Sequence, residues 1–228
     1  MPVNAENVQY NTGLFMMLNK DSSMVPLTAA QRRLQRAALQ LFAERGVTRV
    51  TVSELAEVAG MARGTVYNNV SDPDALFSQV AAQLSAEMTE RIESSEGQTQ
   101  DPARKLSNGI RYFTKRAHDE PQWGRFICRF ALGTESLKEI WTGQAVKDLL
   151  DGVGKGRYVF QQEQLASVVA LIMGAVLGSI TLVLDGRKTW RDAGSDAAEF
   201  VLAAIGVPRE EARALARSEL PAIADDTV

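Results

Sequence analysis

The chain has 228 residues and a formal net charge of −3, with 45% hydrophobic and 23% charged residues, a composition typical of a globular protein. It holds one cysteine, Cys128, and one histidine, His118. These counts exclude an intrachain disulfide, a zinc finger and a histidine-rich metal site, so we expect no metal and no cofactor. The sequence shows no Gly-rich phosphate loop and no catalytic constellation, and we predict that the chain is not an enzyme.

One segment raises the question of a membrane span. Residues 164–184 contain no charged side chain over a length that could cross a bilayer. Serine, glycine and threonine interrupt this run, and basic residues flank both of its ends, so it indicates no orientation. We therefore predict a helix buried in a core or an interface, with no membrane partner. The N-terminus lacks the pattern of a secretory signal, and we expect a cytoplasmic protein.

Turn and breaker residues divide the chain into about ten helices, and alternating strand patterns are nearly absent, which predicts an all-α fold. Met24 stands just before the first helix, so the start of translation at Met1 or at Met24 stays open. We assign the chain to a flexible N-terminal arm at residues 1–26, a three-helix helix-turn-helix domain at 27–80, a larger helical domain at 81–220 and a tail at 221–228.

The first two helices carry clear start and stop signals. Apolar residues recur at helical spacing over residues 28–45, and Gly46 then provides a left-handed cap. The second helix begins after Thr51, because Thr51 and Glu54 have the spacing of a capping box. Gly60 allows a tight reversal before a third helix. This arrangement predicts a helix-turn-helix.

The predicted third helix, at about residues 63–70, has an outer face that is poorly suited to core packing. Val66 and Val70 lie four residues apart and share the buried side. The opposite face carries groups that suit the bases and phosphates of a major groove, namely Arg63, Gly64, Thr65, Asn68 and Asn69. A solvated polar helix would have the same face, so this face alone leaves both interpretations open.

The whole segment from Leu34 to Phe77 resembles the TetR family of transcriptional regulators, in order and in spacing. The resemblance lies in the strings LQRAALQLFAERG, TVSELA, AGMARGTVY and LF, which begin at residues 34, 51, 59 and 76. It is more specific than a bare helix-turn-helix pattern. The rest of the chain is similar to the family in length, helix content and the style of its last two long helices.

The resemblance implies that the third helix enters the major groove of double-stranded operator DNA. It puts Arg63, Gly64, Thr65 and Asn68 near bases, with Asn69 beside them, and it puts Tyr67 on a phosphate. Thr51 and Ser53, at the start of the second helix, would contact the DNA backbone. Residues 28–71 carry six arginines and three glutamates, a net charge of +3 that agrees with this role.

Two departures from the family pattern bear on this site. Asn68 and Asn69 stand where the family usually has an aromatic–histidine pair, which suggests an operator unlike the family average. Pro73 stands where the family usually has a lysine that touches a phosphate, and it offers neither a cationic side chain nor an N–H. This position therefore lacks the groups with which the family contacts a phosphate.

Aromatic residues of the larger domain are candidates for a ligand pocket. Trp123, Phe126 and Phe130 belong to one apolar stripe of a predicted helix, and other aromatic residues lie on neighbouring helices. The resemblance implies a pocket for a small apolar or aromatic effector, for which we nominate Tyr112, Phe113, Trp123, Phe126, Phe130 and Trp141. Ordinary core packing would explain each of these residues equally well.

The last two long helices, predicted at residues 161–185 and 193–206, are candidates for a dimer interface. The first has a ladder of small residues and the second an apolar stripe. The resemblance implies a four-helix interface between two identical subunits, for which we nominate Ala170, Gly174, Gly178, Phe200 and Ala204. Packing within one subunit is the alternative.

These features predict a homodimeric repressor that leaves a near-palindromic operator when an effector binds. A helix-turn-helix protein without a small-molecule effector is the first alternative. An enzyme that uses this motif as its DNA module and a membrane-anchored regulator are two others. The sequence leaves open the operator, the regulated genes, the effector and the sign of regulation.

Overall fold

The computed structural model describes residues 28–70, 72–96 and 99–222. Within these ranges the regular elements are all helical, as the sequence predicts. The α-helices are, in chain order, α1 (Ala29–Arg45), α2 (Val52–Ala59), α3 (Arg63–Asn69), α4 (Leu76–Glu96), α5 (Pro102–Asp119), α6 (Pro121–Phe130), α7 (Glu139–Thr142), α8 (Gln144–Gly154), α9 (Leu165–Leu184), α10 (Trp190–Ala204) and α11 (Arg209–Arg217). The predicted arm at 1–26, with both candidate start methionines, and residues 223–228 of the predicted tail lie outside the described residues.

Helix α5 is the centre of the larger domain and packs against α4, α6, α8, α9, α10 and α11. Its start is fixed by Asp101, whose carboxylate accepts the N–H of Ala103 at 3.2 Å, and by Pro102 in the first turn. Most of its residues are buried, on several sides of the helix. Such a helix forms a core around which the others are arranged.

Close contacts fix α5 to the two long helices near the C-terminus. A Cβ added at Gly194 of α10 would lie 3.3 Å from the Cβ of Thr114, so the two backbones approach more closely than larger residues would permit. On the other side, the hydroxyls of Thr114 and Ser179 lie 2.8 Å apart in a buried hydrogen bond between α5 and α9. Each hydroxyl also lies within hydrogen-bond distance of a carbonyl of its own helix, Ile110 for Thr114 and Val176 for Ser179, so neither polar group is buried unpaired.

The N-terminal helices join the larger domain through α1, which packs against α4 and α6. Helix α4 runs without a break from Leu76 to Glu96, so the predicted domain boundary at residue 80 falls inside a continuous helix. The last two long helices also differ from the predicted ranges. A short 3₁₀ turn (Gln162–Gln164) precedes α9, and α10 begins at Trp190 because Thr189 caps it by accepting the N–H of Asp192.

Candidate functional site

Local caps set the geometry of the helix-turn-helix formed by α2 and α3. Thr51 is the N-cap of α2, and its hydroxyl accepts the N–H of Glu54 at 3.2 Å. Gly60 ends α2 with a φ of +59°, a conformation that L side chains rarely adopt. Helix α3 then begins at Arg63, and the fully buried Val66 anchors it against the other two helices. These features agree with the sequence prediction.

The outer face of α3 is open to solvent. Arg63, Gly64, Tyr67 and Asn68 are exposed, and Tyr67 is 65% exposed. A Cβ added at Gly64 would meet no atom within 4 Å, so nothing in the described part of the chain covers this surface. A short helix with a polar exposed face has the size and chemistry that a major groove accepts.

Asn69 lies differently from its neighbour Asn68. It is half-buried, because it follows Val66 by three residues and shares the inner side of the helix. Its amide Nδ2 donates to the carbonyl of Thr65 at 2.8 Å. The sequence placed both asparagines on the outer face, whereas the structure turns Asn69 back onto its own helix. This bond holds the Asn69 amide against its own helix, whereas the exposed Asn68 makes no hydrogen bond among the described residues.

Thr51 and Ser53, which the sequence analysis assigned to the DNA backbone, differ in how far their hydroxyls are already used within the protein. The N–H and the hydroxyl of Thr51 both donate to Oε2 of Glu54, at 2.8 and 2.7 Å. These two bonds, together with the hydrogen bond from Arg45, hold the pKa of the Glu54 carboxyl below its ordinary value. The single hydroxyl proton of Thr51 is therefore used in the cap. Ser53 is exposed, and its hydroxyl makes no hydrogen bond among the described residues.

The turn before α4 carries acidic groups rather than a cation. Oδ1 of Asp72 accepts the N–H of Asp74 at 2.9 Å and that of Ala75 at 3.2 Å, which organises the turn that contains Pro73. The helix itself begins only at Leu76. Two carboxylates make a phosphate contact at this turn electrostatically unfavourable, although Nε of Arg49 lies 3.8 Å from Oδ1 of Asp74.

A cavity of about 80 Å³ lies in the larger domain, with α5, α7, α8 and α9 among its walls. The rings of Phe113 and Trp141 line it and stack with their centroids 5.2 Å apart. Its charged groups are Lys105 and Asp148, with Nζ and Oδ1 3.8 Å apart. The indole N–H of Trp141 is buried and has no hydrogen-bond partner among the residues that the structure describes. The cavity is thus aromatic, with an unused donor and an ion pair.

The structure brings together only two of the six predicted pocket residues, Phe113 and Trp141, at this cavity. Phe126 and Phe130 instead pack with aromatic rings of α1 and α4, where the two domains meet, and the Phe77–Phe130 centroids lie 5.0 Å apart. Helix α6 has the predicted apolar stripe, but Phe126 and Phe130 of that stripe face the N-terminal domain. Helical periodicity identifies such a stripe without revealing what it packs against.

Trp123 and Tyr112 also lie away from the cavity. The guanidinium carbon of Arg116 sits 4.6 Å from the centroid of the Trp123 ring, a cation–π geometry. Tyr112 donates its hydroxyl to the carbonyl of Pro221 at 2.9 Å and so fixes the chain that follows α11. Both side chains are fully buried, and both contribute to the core rather than to the cavity wall.

Arg129 of α6 joins the two domains, which the sequence did not reveal. Its Nη1 donates to the carbonyls of Ala43 and Glu44, at 3.0 and 3.3 Å, in the last turn of α1. A Cβ added at Gly46 would lie 2.8 Å from the same nitrogen. A cation at this position satisfies carbonyls that the helix leaves free and complements the helix dipole. The contact spans more than 80 residues of sequence, so no local pattern could predict it.

The outer faces of α9 and α10 are uncovered in the single chain. All five nominated interface residues, Ala170, Gly174, Gly178, Phe200 and Ala204, are exposed. A Cβ added at Gly174 or Gly178 would meet no atom within 4 Å, so the small-residue ladder packs against no other helix in the described ranges. Phe200 is 64% exposed. An apolar face of this kind is typical of an interaction surface.

The segment Gln162–Leu184 is long and apolar enough to cross a membrane, by length and composition. Only 22% of its most apolar window is buried within the single chain. Among the described residues, no group of three or more histidine, cysteine, aspartate or glutamate side chains could hold a metal ion.

Comparison with known protein families gives two matches along the chain. Residues 34–80 match the bacterial regulatory proteins of the tetR family, and residues 101–218 match the tetracycline repressor-like C-terminal domain. A curated relative, the HTH-type transcriptional repressor Rv1474c of Mycobacterium tuberculosis, is 35% identical over 71 residues. That alignment covers 31% of this chain and 37% of the relative, so the chain spans little more than a third of that protein's length.

Solved structures show the same architecture over most of the chain. RolR in complex with resorcinol is 27% identical, with a TM-score of 0.64, over 85% of this chain and 96% of RolR. The fatty acid degradation regulator FadR from Bacillus halodurans is 18% identical, with a TM-score of 0.66, over 80% of this chain and 100% of FadR. A TetR-family regulator from Shewanella sp. PV-4 is 16% identical, with a TM-score of 0.67, over 79% of this chain and 100% of that regulator. At these low identities, the last two comparisons show the fold alone.

A helix-turn-helix with an exposed polar third helix, attached to a larger helical domain, defines a class of DNA-binding regulators. The two family matches together cover most of the described residues. The chain belongs to the TetR family of bacterial transcriptional regulators, which is a regulatory and not an enzymatic family.

Proposed function

We propose that this protein is a repressor that binds a near-palindromic operator as a homodimer, with α3 of each subunit in a major groove. The observation that carries the proposal is the exposed face of α3, where Arg63, Tyr67 and Asn68 project from a helix that Val66 anchors in the core. Arginine pairs well with guanine and asparagine with adenine. We place the protein in the cytoplasm, with its operator DNA, and we propose residues 27–80 as the DNA-binding unit and 81–220 as the regulatory one.

The dimer part of the proposal rests on the uncovered face of α9 and α10. The ladder of Gly174 and Gly178 leaves room for the close approach of a second helix, and Phe200 offers a large apolar side chain to bury. A two-fold axis through this face would place the same surface of both subunits in contact. It would also present two α3 helices to two equivalent half-sites.

The effector part rests on the aromatic cavity. RolR, the 27% identical relative, was solved with resorcinol, a small phenol. Here Phe113 and Trp141 would stack on a phenolic ring, the free indole N–H of Trp141 could donate to a hydroxyl oxygen, and Asp148 could accept a hydroxyl proton. The cavity of about 80 Å³ is smaller than the ~150 Å³ cavity that holds benzene in a model protein, so the helices must separate to admit a ring.

The small cavity also favours the alternative, a DNA-binding regulator without a small-molecule effector. In that case Lys105, Asp148 and Trp141 would be ordinary elements of a closed core. The two functions differ in one respect that can be measured, which is whether a phenol weakens binding to DNA.

The experiment begins with selection of operator sequences from a random DNA pool, followed by gel shifts with the selected DNA. We expect resorcinol to release the wild-type protein from this DNA. The Asp148→Asn variant should stay bound to the DNA at the same resorcinol concentration. The matched control is Asp151→Asn, on the same helix α8, where the side chain is exposed. Specific DNA binding without any response to resorcinol or related phenols would favour the alternative. Absence of specific DNA binding would contradict both.

A further inference from the structure

A second depression of about 520 Å³ lies in the larger domain between α5, the first turns of α10 and the chain that follows α11. Arg111 of α5 lines it and is only 7% exposed. Ile110 and Phe113 of the same helix line the aromatic cavity, so the two sites lie on different faces of α5. The backbone of α10 fixes this part of α5 in place, because a Cβ added at Gly194 would lie 3.4 Å from the Cα of Arg111.

Among the described residues, the charge of Arg111 has no anionic partner. Its Nη2 donates to the carbonyl of Ser218 at 2.6 Å, which is a neutral acceptor, and its Nη1 is buried with no hydrogen-bond partner in the same part of the chain. Burial lowers the pKa of Arg111 from its ordinary value, as expected for a cation that lacks a counter-charge. A buried charge without a partner destabilises the folded protein. An anion that bound this guanidinium would offset that destabilisation.

Two acidic residues in the walls already have other partners. Asp192 accepts the hydroxyl proton of Thr189 at 2.7 Å, within the cap of α10. Asp196 forms an ion pair with Lys188. Neither carboxylate is therefore directed at Arg111.

The remaining charges of the depression belong to Arg191, Arg217 and Glu219, and together they favour an anion. Arg217 is paired only loosely, with its Nε 4.0 Å from Oε2 of Glu199. Arg191 lies over the ring of Trp190 at 4.4 Å and forms no ion pair among the described residues. The positive end of the α10 dipole opens toward the same space. Glu219 is exposed at the edge of the depression and is the acidic side chain that a ligand would have to avoid.

We propose that this depression is a carboxylate-binding site in which Arg111 supplies the counter-charge. A guanidinium matches a carboxylate in planarity and in the spacing of its N–H groups. The carboxylate can come from a small free acid or from the chain itself, since Asp225 and Asp226 follow closely after Pro221. The carbonyl of Pro221 is held by Tyr112, next to Arg111, and Asp225 follows Pro221 by four residues, a length of chain that spans at most about 14 Å.

The test is the thermal unfolding of the full-length protein in sodium succinate against sodium chloride at equal ionic strength. We expect a saturable rise in Tm of about 2–4 °C with succinate. The rise should disappear in Arg111→Met and persist in Arg104→Met, which removes an exposed arginine from the same helix. If Arg111→Met does not fold, Arg111→Lys replaces it, and succinate should then bind at least about tenfold more weakly.

A second arm separates the two sources of the carboxylate. If the chain's own aspartates occupy the site, wild-type protein will not respond to succinate. Asp225→Asn/Asp226→Asn will then have a lower Tm and will respond to succinate through Arg111. The proposal is overturned if succinate raises the Tm of neither protein, or if the rise is the same in wild-type protein and in the Arg111 variant.

Discussion

Side chains of the DNA-binding domain differ in how much of their hydrogen-bonding capacity is already used. The amide of Asn69 and the hydroxyl of Thr51 are both bonded within the domain. Asn68 and Ser53 are exposed and make no such bonds among the described residues. A group that must first break an internal bond contributes less to binding. We therefore expect Asn68 to read a base and Ser53 to contact a phosphate.

Replacement of Asn68 with alanine should change sequence preference. An asparagine that pairs with adenine contributes about 1–3 kcal/mol of discrimination at one position of each half-site. Competition binding with operators that vary at single positions would measure this loss. The matched variant Asn69→Ala should alter preference much less, because its amide is bonded to Thr65. An equal or larger effect of Asn69→Ala would show that Asn69 also reads a base.

Replacement of Tyr67 with phenylalanine should weaken binding to all sequences alike. The family resemblance puts this hydroxyl on a phosphate, and a phosphate contact carries no base information. The exposed ring has no packing role that the substitution would disturb. Gel shifts with the operator and with unrelated DNA should show the same fractional loss. A loss confined to the operator would assign Tyr67 to a base instead.

At the scale of the helices, ion pairs fix the order of elements in the larger domain. Arg157, in the loop between α8 and α9, bonds both oxygens of Asp101 at 2.8 and 3.1 Å and bonds Glu211 of α11 at 2.8 Å. Burial raises the pKa of Asp101, but the hydrogen bonds from Arg157 and Ala103 outweigh this effect, and the net pKa lies below its ordinary value. Arg157 thus links the start of α5 to α11 and to the loop between α8 and α9.

Arg157→Ala should lower the free energy of unfolding by about 1–2 kcal/mol at pH 7. Loss of one partner of a fully buried ion pair would cost more, because solvent partly screens the charges of Arg157 and Asp101. A depressed carboxylate pKa contributes stability above its unfolded value of 3.8, and that stability is lost as the pH falls through the folded pKa. The difference between variant and wild type should therefore shrink below about pH 4. Urea unfolding at several pH values would measure it, with Arg187→Ala at the exposed pair with Asp185 as the control.

Gly174→Leu should abolish the dimer and leave most helix content intact. The side chain would enter open space in the single chain, but it would hold two subunits apart at a tight contact, where overpacking costs about 1–3 kcal/mol. Sedimentation would give the mass and circular dichroism the helix content. Gly154→Leu, also at an uncrowded helical glycine but on α8, is the control and should stay dimeric. A Gly174→Leu protein that remains dimeric would place the ladder away from the interface.

For the molecule as a whole, the sequence predicted what depends on local signals. The capping box of Thr51 and the left-handed Gly46 and Gly60 act over a few residues, and all of them occur as predicted. The cavity depends instead on how distant helices pack. In the predicted stripe Phe126 is buried and Phe130 half-buried, but both pack against rings of the DNA-binding domain. Periodicity predicts which side of a helix is buried, but it does not predict which element packs against that side.

The contact between domains suggests how the two functions could communicate. Arg129 holds the end of α1 from α6, and the aromatic rings of both domains meet beside it. In the proposed mechanism, a ligand that separates the helices around α5 acts on α3 through α6 and α1, which pack in series between them. The position of α3 relative to its partner in a dimer would change accordingly.

The most direct test of the central claim is a hydroxyl-radical footprint of the full-length protein on its selected operator. Two α3 helices in one dimer predict two equivalent protected regions, related by a two-fold axis and separated by about one helical turn of DNA or a multiple of it. Asn68→Ala should alter the symmetric position in both regions. A single asymmetric protected region, or an Asn68→Ala effect in one half alone, would contradict a dimer that reads DNA through α3.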